Sequence, residues 1–344
     1  MKRIPFLLKP AAKDYLWGGS RLNDDFNFCI DIDPFAEAWV CSTHPDGDSF
    51  APAFSCSLSD VLSMHPDWLG SHPLATTDGK GELPILIKLI DAKANLSVQV
   101  HPDDEYALRV ENSLGKTEMW YVLDAKPDSK LVYGFKTDVE AGKVKSAIEA
   151  GTVERLLNYV PIRRDDLFYI EAGTVHAIGA GALVAEIQES SNITYRLYDY
   201  DRVGKDGKRR PLHIDKALEV ANLSSSASPR QPMRVLKYRT GCARELLTRC
   251  KYFQVERLLL NTEVQRSLVD FKTEANSFHA LLCVDGCGSI SWGDPGAISG
   301  SDSGLVSGND AGSLNFFKGD CIFVPAESEL LKLHGSAQIL DVSC

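Results

Sequence analysis

Leu96-Ser97-Val98-Gln99-Val100-His101-Pro102 is the stretch on which the reading of this chain turns. Side chains alternate between faces along a strand, so Ser97, Gln99 and His101 share one face and Val98 and Val100 the other. Gly115-Lys116-Thr117-Glu118 leads into Met119-Trp120-Tyr121-Val122, and by the same parity Lys116 and Glu118 point one way. Gly173-Thr174-Val175-His176 supplies a third segment. Val98, Val100, Trp120 and Val122 suit a barrel wall; Gln99, His101 and Glu118 do not. Two imidazoles, a carboxylate and an amide oxygen form a donor set for a zinc-like ion that keeps one position open for water or substrate.

The bulk composition narrows the function classes. At 344 residues the chain exceeds the commonest domain size, so two domains are expected. With 44% hydrophobic and 24% charged residues it is an ordinary globular sequence. A net charge of −10 argues against nucleic acid as a partner, which needs a basic surface, yet a local Lys/Arg cluster suffices for one small phosphate. No apolar run reaches the length of a membrane span. Met1 to Pro10 is basic and then apolar, but Lys9 and Pro10 cut the run short, and it reads as a first strand, not a secretory signal. The nine cysteines, at 29, 41, 56, 242, 250, 283, 287, 321 and 344, lack the paired spacing of structural zinc sites. They read as reduced thiols, so a cytoplasmic location is expected.

Short strands dominate the pattern. Leu83–Ile90, Ala94–His101, Met119–Leu123, Lys130–Phe135 and Leu167–Glu171 are rich in β-branched or aromatic residues between turn formers. Helices are predicted over Leu58–Met64, over Asp138–Tyr159 with a break near Gly151, and over Leu212–Ala221. Residues 223–234 are Ser- and Pro-rich and read as a linker, dividing the chain into 1–230 and 231–344. Strands resume at Phe253–Leu260, Phe278–Val284, Gly288–Trp292, Leu314–Phe317, Asp320–Val324 and Ala337–Val342, with a Gly/Ser/Asp-rich surface loop at 296–312. Asp165 to His176 and Gly319 to Ala326 share a turn–apolar strand–turn pattern, but the second lacks the histidine. The fold class is therefore mainly β, with two related β-barrels, one with a metal site and one metal-free, and a small helical segment at 138–159. His279 and His334 stand isolated in the second.

The pattern resembles the cupin fold of jelly-roll barrels and, within it, the type I phosphomannose isomerases. Trp17-Gly18-Gly19, Glu37-Ala38-Trp39, Leu83 to Lys88, Leu96 to Pro102, Lys116 to Trp120, Gly173 to Ala177 and Glu186 to Arg196 carry the likeness. The chain lacks the large helical insertion of longer members, and Gly115-Lys116-Thr117-Glu118 replaces a longer loop, so it looks like the compact bacterial branch. The resemblance implies one zinc ion per chain, bound by Gln99, His101, Glu118 and His176. It also implies interconversion of mannose 6-phosphate and fructose 6-phosphate, by proton transfer between C1 and C2 through an enediol. A sugar phosphate is then the small-molecule partner; oligomeric state is not legible.

Other residues take provisional roles. Glu186 lies in the apolar Ala182 to Gln188 strand and is the candidate base or relay; the alternatives are a surface position or a partner of His101 or His176. Lys116 is the rival base. Lys88, inside Leu86-Ile87-Lys88-Leu89-Ile90, and Ser97, Lys116 and Arg196 are expected around the phosphate or the reacting carbons. Arg196 resembles the family's active-site arginine by position. The basic loop Arg202 to Arg210 either closes over the phosphate or is a solvated loop. Trp17 either lines the pocket or packs. Two other readings use the same residues: a different metal cupin enzyme, and a non-catalytic sugar-binding cupin.

Overall fold

The computed structural model describes residues 2–26, 28–204, 207–226, 229, 234–264, 267–293 and 311–344. Most of the linker between 227 and 233, Lys205 and Asp206 of the basic loop, and all of the 296–312 stretch except Ala311 and Gly312 lie outside the described residues. The fold is mainly β. Two compact units result, but not from a single cut near residue 230. One unit comprises 11–47 and 85–232; the other comprises 1–10, 48–84 and 233–344. The physical reason is strand pairing: Phe6–Leu8 pairs antiparallel with Cys321–Val324, which draws the N-terminus into the C-terminal unit.

The unit of 11–47 and 85–232 contains two antiparallel sheets. Six strands run in the order Leu167–Ile170, Glu118–Ala125, Ala182–Glu189, Ile85–Asp91, Glu37–Cys41, Ala11–Lys13. Five run in the order Leu157–Pro161, Lys130–Phe135, His176–Ile178, Val98–Val100, Tyr195–Tyr198. A core drawn from both sheets, including Ile90, Trp120, Val122, Leu131, Ile178 and Val184, joins them. The strands Glu37–Cys41, Ile85–Asp91 and Ala182–Glu189 are buried along their whole length, so their charged residues are also inside. No closed ring of strands forms among the described residues; the barrel wall expected from the sequence is two sheets.

Local signals set the element ends. Ser57 caps the helix Leu58–Met64 by accepting from the Asp60 amide. Asp103 caps Asp104–Glu111 in the same way, directly after His101-Pro102. The helix predicted over Asp138–Tyr159 is shorter. It spans Ala141–Glu149, Gly151 adopts a left-handed φ of 65°, and a 3-10 turn covers Val153–Arg155. Leu157–Pro161 is a strand, because it pairs with Lys130–Phe135, and tertiary pairing overrides the helical spacing of its apolar residues.

The other unit is built on a nine-stranded sheet. Phe278–Val284 and Gly288–Trp292 are one strand, His279–Trp292. The expected turn is a bulge, with a register shift between Cys283 and Asp285 and Gly286 at φ 78°. A Cβ on Gly286 would stand 2.1 Å from the Ser336 carbonyl oxygen, so only glycine fits. His279 is accounted for as an ion-pair partner, its Nδ1 lying 2.5 Å from Asp341 Oδ1. The nine cysteines are free thiols. Among the described residues no helix is long and apolar enough to cross a membrane.

Candidate active site

Register brings the donors together. In the five-stranded sheet Gln99 lies opposite His176 on one side and Arg196 on the other. His101 follows one residue beyond the strand, and Glu118 opens its strand in the facing sheet. One ligand atom each from His101, Glu118 and His176 fall within 4.8 Å of one another. His101 Nε2 is 3.2 Å from Glu118 Oε1, and His176 Nε2 is 3.8 Å from Glu118 Oε2. All three side chains are buried.

The surroundings prepare these groups for a cation. His101 Nδ1 donates to the Ile193 carbonyl at 2.8 Å, and His176 Nδ1 donates to the Thr174 carbonyl at 2.8 Å. Each bond fixes the tautomer, so both Nε2 atoms offer lone pairs to the same point. Burial, with Lys116 nearby, lowers His101 to about 3, and burial also lowers His176, so both rings are neutral. Burial pushes Glu118 upward, but the Lys116 ammonium outweighs it and holds the carboxyl well below its usual range. Glu118 Oε1 is buried without a hydrogen-bond partner among the described residues, although Lys116 Nζ stands 2.6 Å away. A buried carboxylate whose two oxygens each face an unprotonated imidazole nitrogen fits a divalent cation. Gln99 Nε2 lies 3.5 Å from His176 Nε2. A half-turn about Cγ–Cδ exchanges Nε2 for Oε1 and brings the fourth expected donor to the same place.

A cavity of about 250 Å³ opens beside the donors, and Trp17, Lys88, Ser97, Lys116, Glu186 and Arg196 are among its lining residues. Parity places the flanking groups as read from the sequence. Ser97 Oγ donates to Gln99 Oε1 at 3.2 Å, and Lys116 Nζ lies 3.3 Å from His101 Nε2. Glu186 faces inward rather than to the surface, and its contacts are not the histidines. Trp120 Nε1 bridges Glu186 Oε2 (2.8 Å) and Glu118 Oε2 (3.1 Å), because Trp120 sits opposite Glu186 in the register. Burial, reinforced by the Glu118 charge, raises the Glu186 carboxyl above its ordinary range.

Lys88 stands opposite Glu186 across the sheet. It is buried, 3.3 Å from Glu186 and 3.8 Å from Glu37, over the Trp39 ring. Burial opposes its charge, but Glu37 and Glu186 outweigh burial and hold the ammonium well above its ordinary range. Such a lysine neutralises carboxylates. It does not offer the free charge expected of it at a phosphate. Arg196 donates from Nε to Ser97 Oγ at 3.3 Å and from Nη1 to the Pro211 carbonyl at 3.0 Å.

Arg210, the last residue of the basic loop, lines the cavity, and so do Glu37 and Asn192, to which sequence reasoning gave no role. The signal for Glu37 was present: a carboxylate inside the apolar strand Glu37–Cys41 is as anomalous as Lys88 in its own strand.

Residues 6–132 match the model of the phosphomannose isomerase type I catalytic domain. The probable mannose-6-phosphate isomerase GmuF of Bacillus subtilis is 43% identical over 223 residues, which is 64% of this chain and 69% of that protein. The mannose-6-phosphate isomerase of Streptococcus mutans is 36% identical over 227 residues, 65% of this chain and 70% of that protein. The chain belongs to the type I phosphomannose isomerase family. The crystal structure of mannose 6-phosphate isomerase from Bacillus subtilis superposes with a TM-score of 0.84 at 29% identity, covering 99% of both chains. As a phosphomannose isomerase, the chain is a mannose-6-phosphate isomerase, an aldose–ketose isomerase. The matched region holds Lys88, Gln99, His101, Lys116 and Glu118; His176, Glu186 and Arg196 lie beyond it and join the site through strand pairing.

Proposed function

We propose that the chain interconverts mannose 6-phosphate and fructose 6-phosphate at one zinc ion, held by Gln99, His101, Glu118 and His176. The observation that carries this reading is the buried His101–Glu118–His176 cluster, with the fourth donor, Gln99, on the wall of a cavity that Glu186, Lys116 and Arg196 also line. The bound ion would supply Lewis-acid stabilisation to oxygen as negative charge develops there. Glu186 is the base. Its carboxylate takes the proton from C2. The C–H electron pair becomes the C1=C2 bond of the enediol while the C1=O π pair moves onto O1, which gains a proton. The same carboxylic proton then returns to C1 as O2 loses its proton and C2=O forms. A carboxylate raised toward neutrality by burial serves both directions of that transfer. Trp120 and Lys88 hold its two oxygens in place. Lys116, engaged with Glu118, is assigned as a hydrogen-bond donor to sugar oxygen and not as the base. Ser97 and Arg196 orient the sugar.

We further infer that both halves are cupin-like jelly rolls. Catalysis belongs to the unit of 11–47 and 85–232, and the unit of 1–10, 48–84 and 233–344 is metal-free. The free thiols fit a cytoplasmic enzyme.

Arg196→Lys tests the role of the guanidinium fork. The variant is expected to keep its zinc and lose about one and a half to three decades of kcat/KM, the equivalent of about 2–4 kcal/mol, because an ammonium cannot reproduce the paired donors. Wild-type kinetics in this variant would remove Arg196 from the site.

A further inference from the structure

His101 and Glu118 come from different sheets, and the segments that carry them are fastened together a few residues away. Lys116 N donates to the Pro102 carbonyl at 3.0 Å, and Gly115 N donates to Asp104 Oδ1 at 3.1 Å. The end of the strand Ala182–Glu189 joins the same seam. Glu189 N donates to the Thr117 carbonyl at 3.1 Å, and Ser191 Oγ donates to the Leu114 carbonyl at 3.0 Å. That segment runs on to Ile193, whose carbonyl holds the His101 ring.

The Glu189 side chain sits at the centre of this seam and is buried. Thr117 N donates to its Oε1 at 2.7 Å, and its carboxyl group also bonds to the side chain of Asp104. Two carboxyl groups bond to each other only through a proton, and their surroundings decide which one holds it. Asp104 opens the helix Asp104–Glu111, whose first amides favour a negative charge, and it accepts from Gly115 N. Burial, with the Asp104 charge behind it, raises the Glu189 carboxyl to about 8. The proton therefore belongs to Glu189, which donates it to Asp104. The other groups against Glu189, Thr117 and Ser191, are neutral, and Lys116 turns its ammonium to Glu118 instead.

We propose that Glu189 and Asp104 are a positioning pair: one proton held between their carboxyl groups clamps the segments that carry His101, Lys116 and Glu118, and the clamp loosens when that proton leaves. The clamp stands on the seam itself; its effect on turnover rests on the sugar-phosphate isomerase reading. The unfolded chain releases this proton in the ordinary carboxylate range. The stability the proton contributes is therefore full below that range and is lost as pH rises through about 8, where two carboxylates come to face each other out of water.

Glu189→Gln tests the pair, because an amide donates to Asp104 and accepts from Thr117 with no proton to lose. Between about pH 7 and about pH 9.5 the thermal midpoint of the metal-stripped full chain is expected to fall about 3–6 °C further in the wild type than in Glu189→Gln. In the zinc-loaded full chain, zinc release to a chelator should quicken over the same range by up to about 10-fold more in the wild type, and the alkaline fall in kcat/KM for mannose 6-phosphate should begin at higher pH in the variant. Asp104→Asn should flatten the same curves from the other side, since its amide donates to an ionised Glu189. If Glu189→Gln does not fold, Asp104→Asn decides. Parallel midpoint curves for wild type and variant would overturn the shared proton. A midpoint difference with identical zinc release and kcat/KM profiles would make the pair merely structural and overturn its positioning role. A zinc-loaded wild type without activity would overturn the isomerase reading instead, and the midpoint and zinc-release curves would still decide the clamp.

Discussion

His176→Ala is expected to leave the chain folded, strip its zinc, and reduce isomerase activity by at least about three decades. The size follows from the chemistry: a Lewis acid contributes several kcal/mol to stabilising charge on oxygen, and each 1.4 kcal/mol is a factor of ten. No neighbour can replace the lost nitrogen. Trp120 packs edge-on to the His176 ring and has no lone pair to offer, and Lys116 is already engaged with Glu118. His101→Ala should behave the same way, since both Nε2 atoms face Glu118. Elemental analysis beside a coupled assay is the check. Full zinc occupancy in either variant would mean that the donor set is misassigned.

Glu186→Gln is expected to lower kcat by about 10²- to 10⁴-fold while zinc content stays at the wild-type level. An amide can still accept from Trp120, so the cavity keeps its shape, but it cannot take a proton from carbon. The pH dependence carries a second signature. Burial and the Glu118 charge raise the Glu186 carboxyl, so the active, ionised form is lost as pH falls through a value above the ordinary carboxylate range. The acid limb of the wild-type kcat profile should therefore lie above that of a solvent carboxylate and vanish in Glu186→Gln. If the limb persists and turnover is intact, Lys116 becomes the base, and Lys116→Met should then carry the loss.

Face parity made much of this site legible from the sequence. Ser97, Gln99 and His101 on one side, and Lys116 with Glu118, emerge from strand alternation alone, and the structure joins them by short contacts. What alternation cannot supply is which strand lies beside which. Lys88 looked like a free cation because its neutralising partners, Glu37 and Glu186, are far away in sequence and become neighbours only in the six-stranded sheet. Glu37 was passed over for the same reason. Leu157–Tyr159 misread as helix because its apolar spacing fits both periods over so short a run, and only pairing with Lys130–Phe135 decides it. The bulge at Gly286 misread as a turn, since a glycine beside an aspartate signals either.

The most direct measurement is the rate of mannose 6-phosphate conversion to fructose 6-phosphate by the full chain, first stripped of metal and then titrated with zinc. Turnover is expected to be negligible in the stripped protein and to recover with added zinc, saturating near one zinc per chain. Undiminished turnover without metal, or none in the zinc-loaded protein, would contradict it.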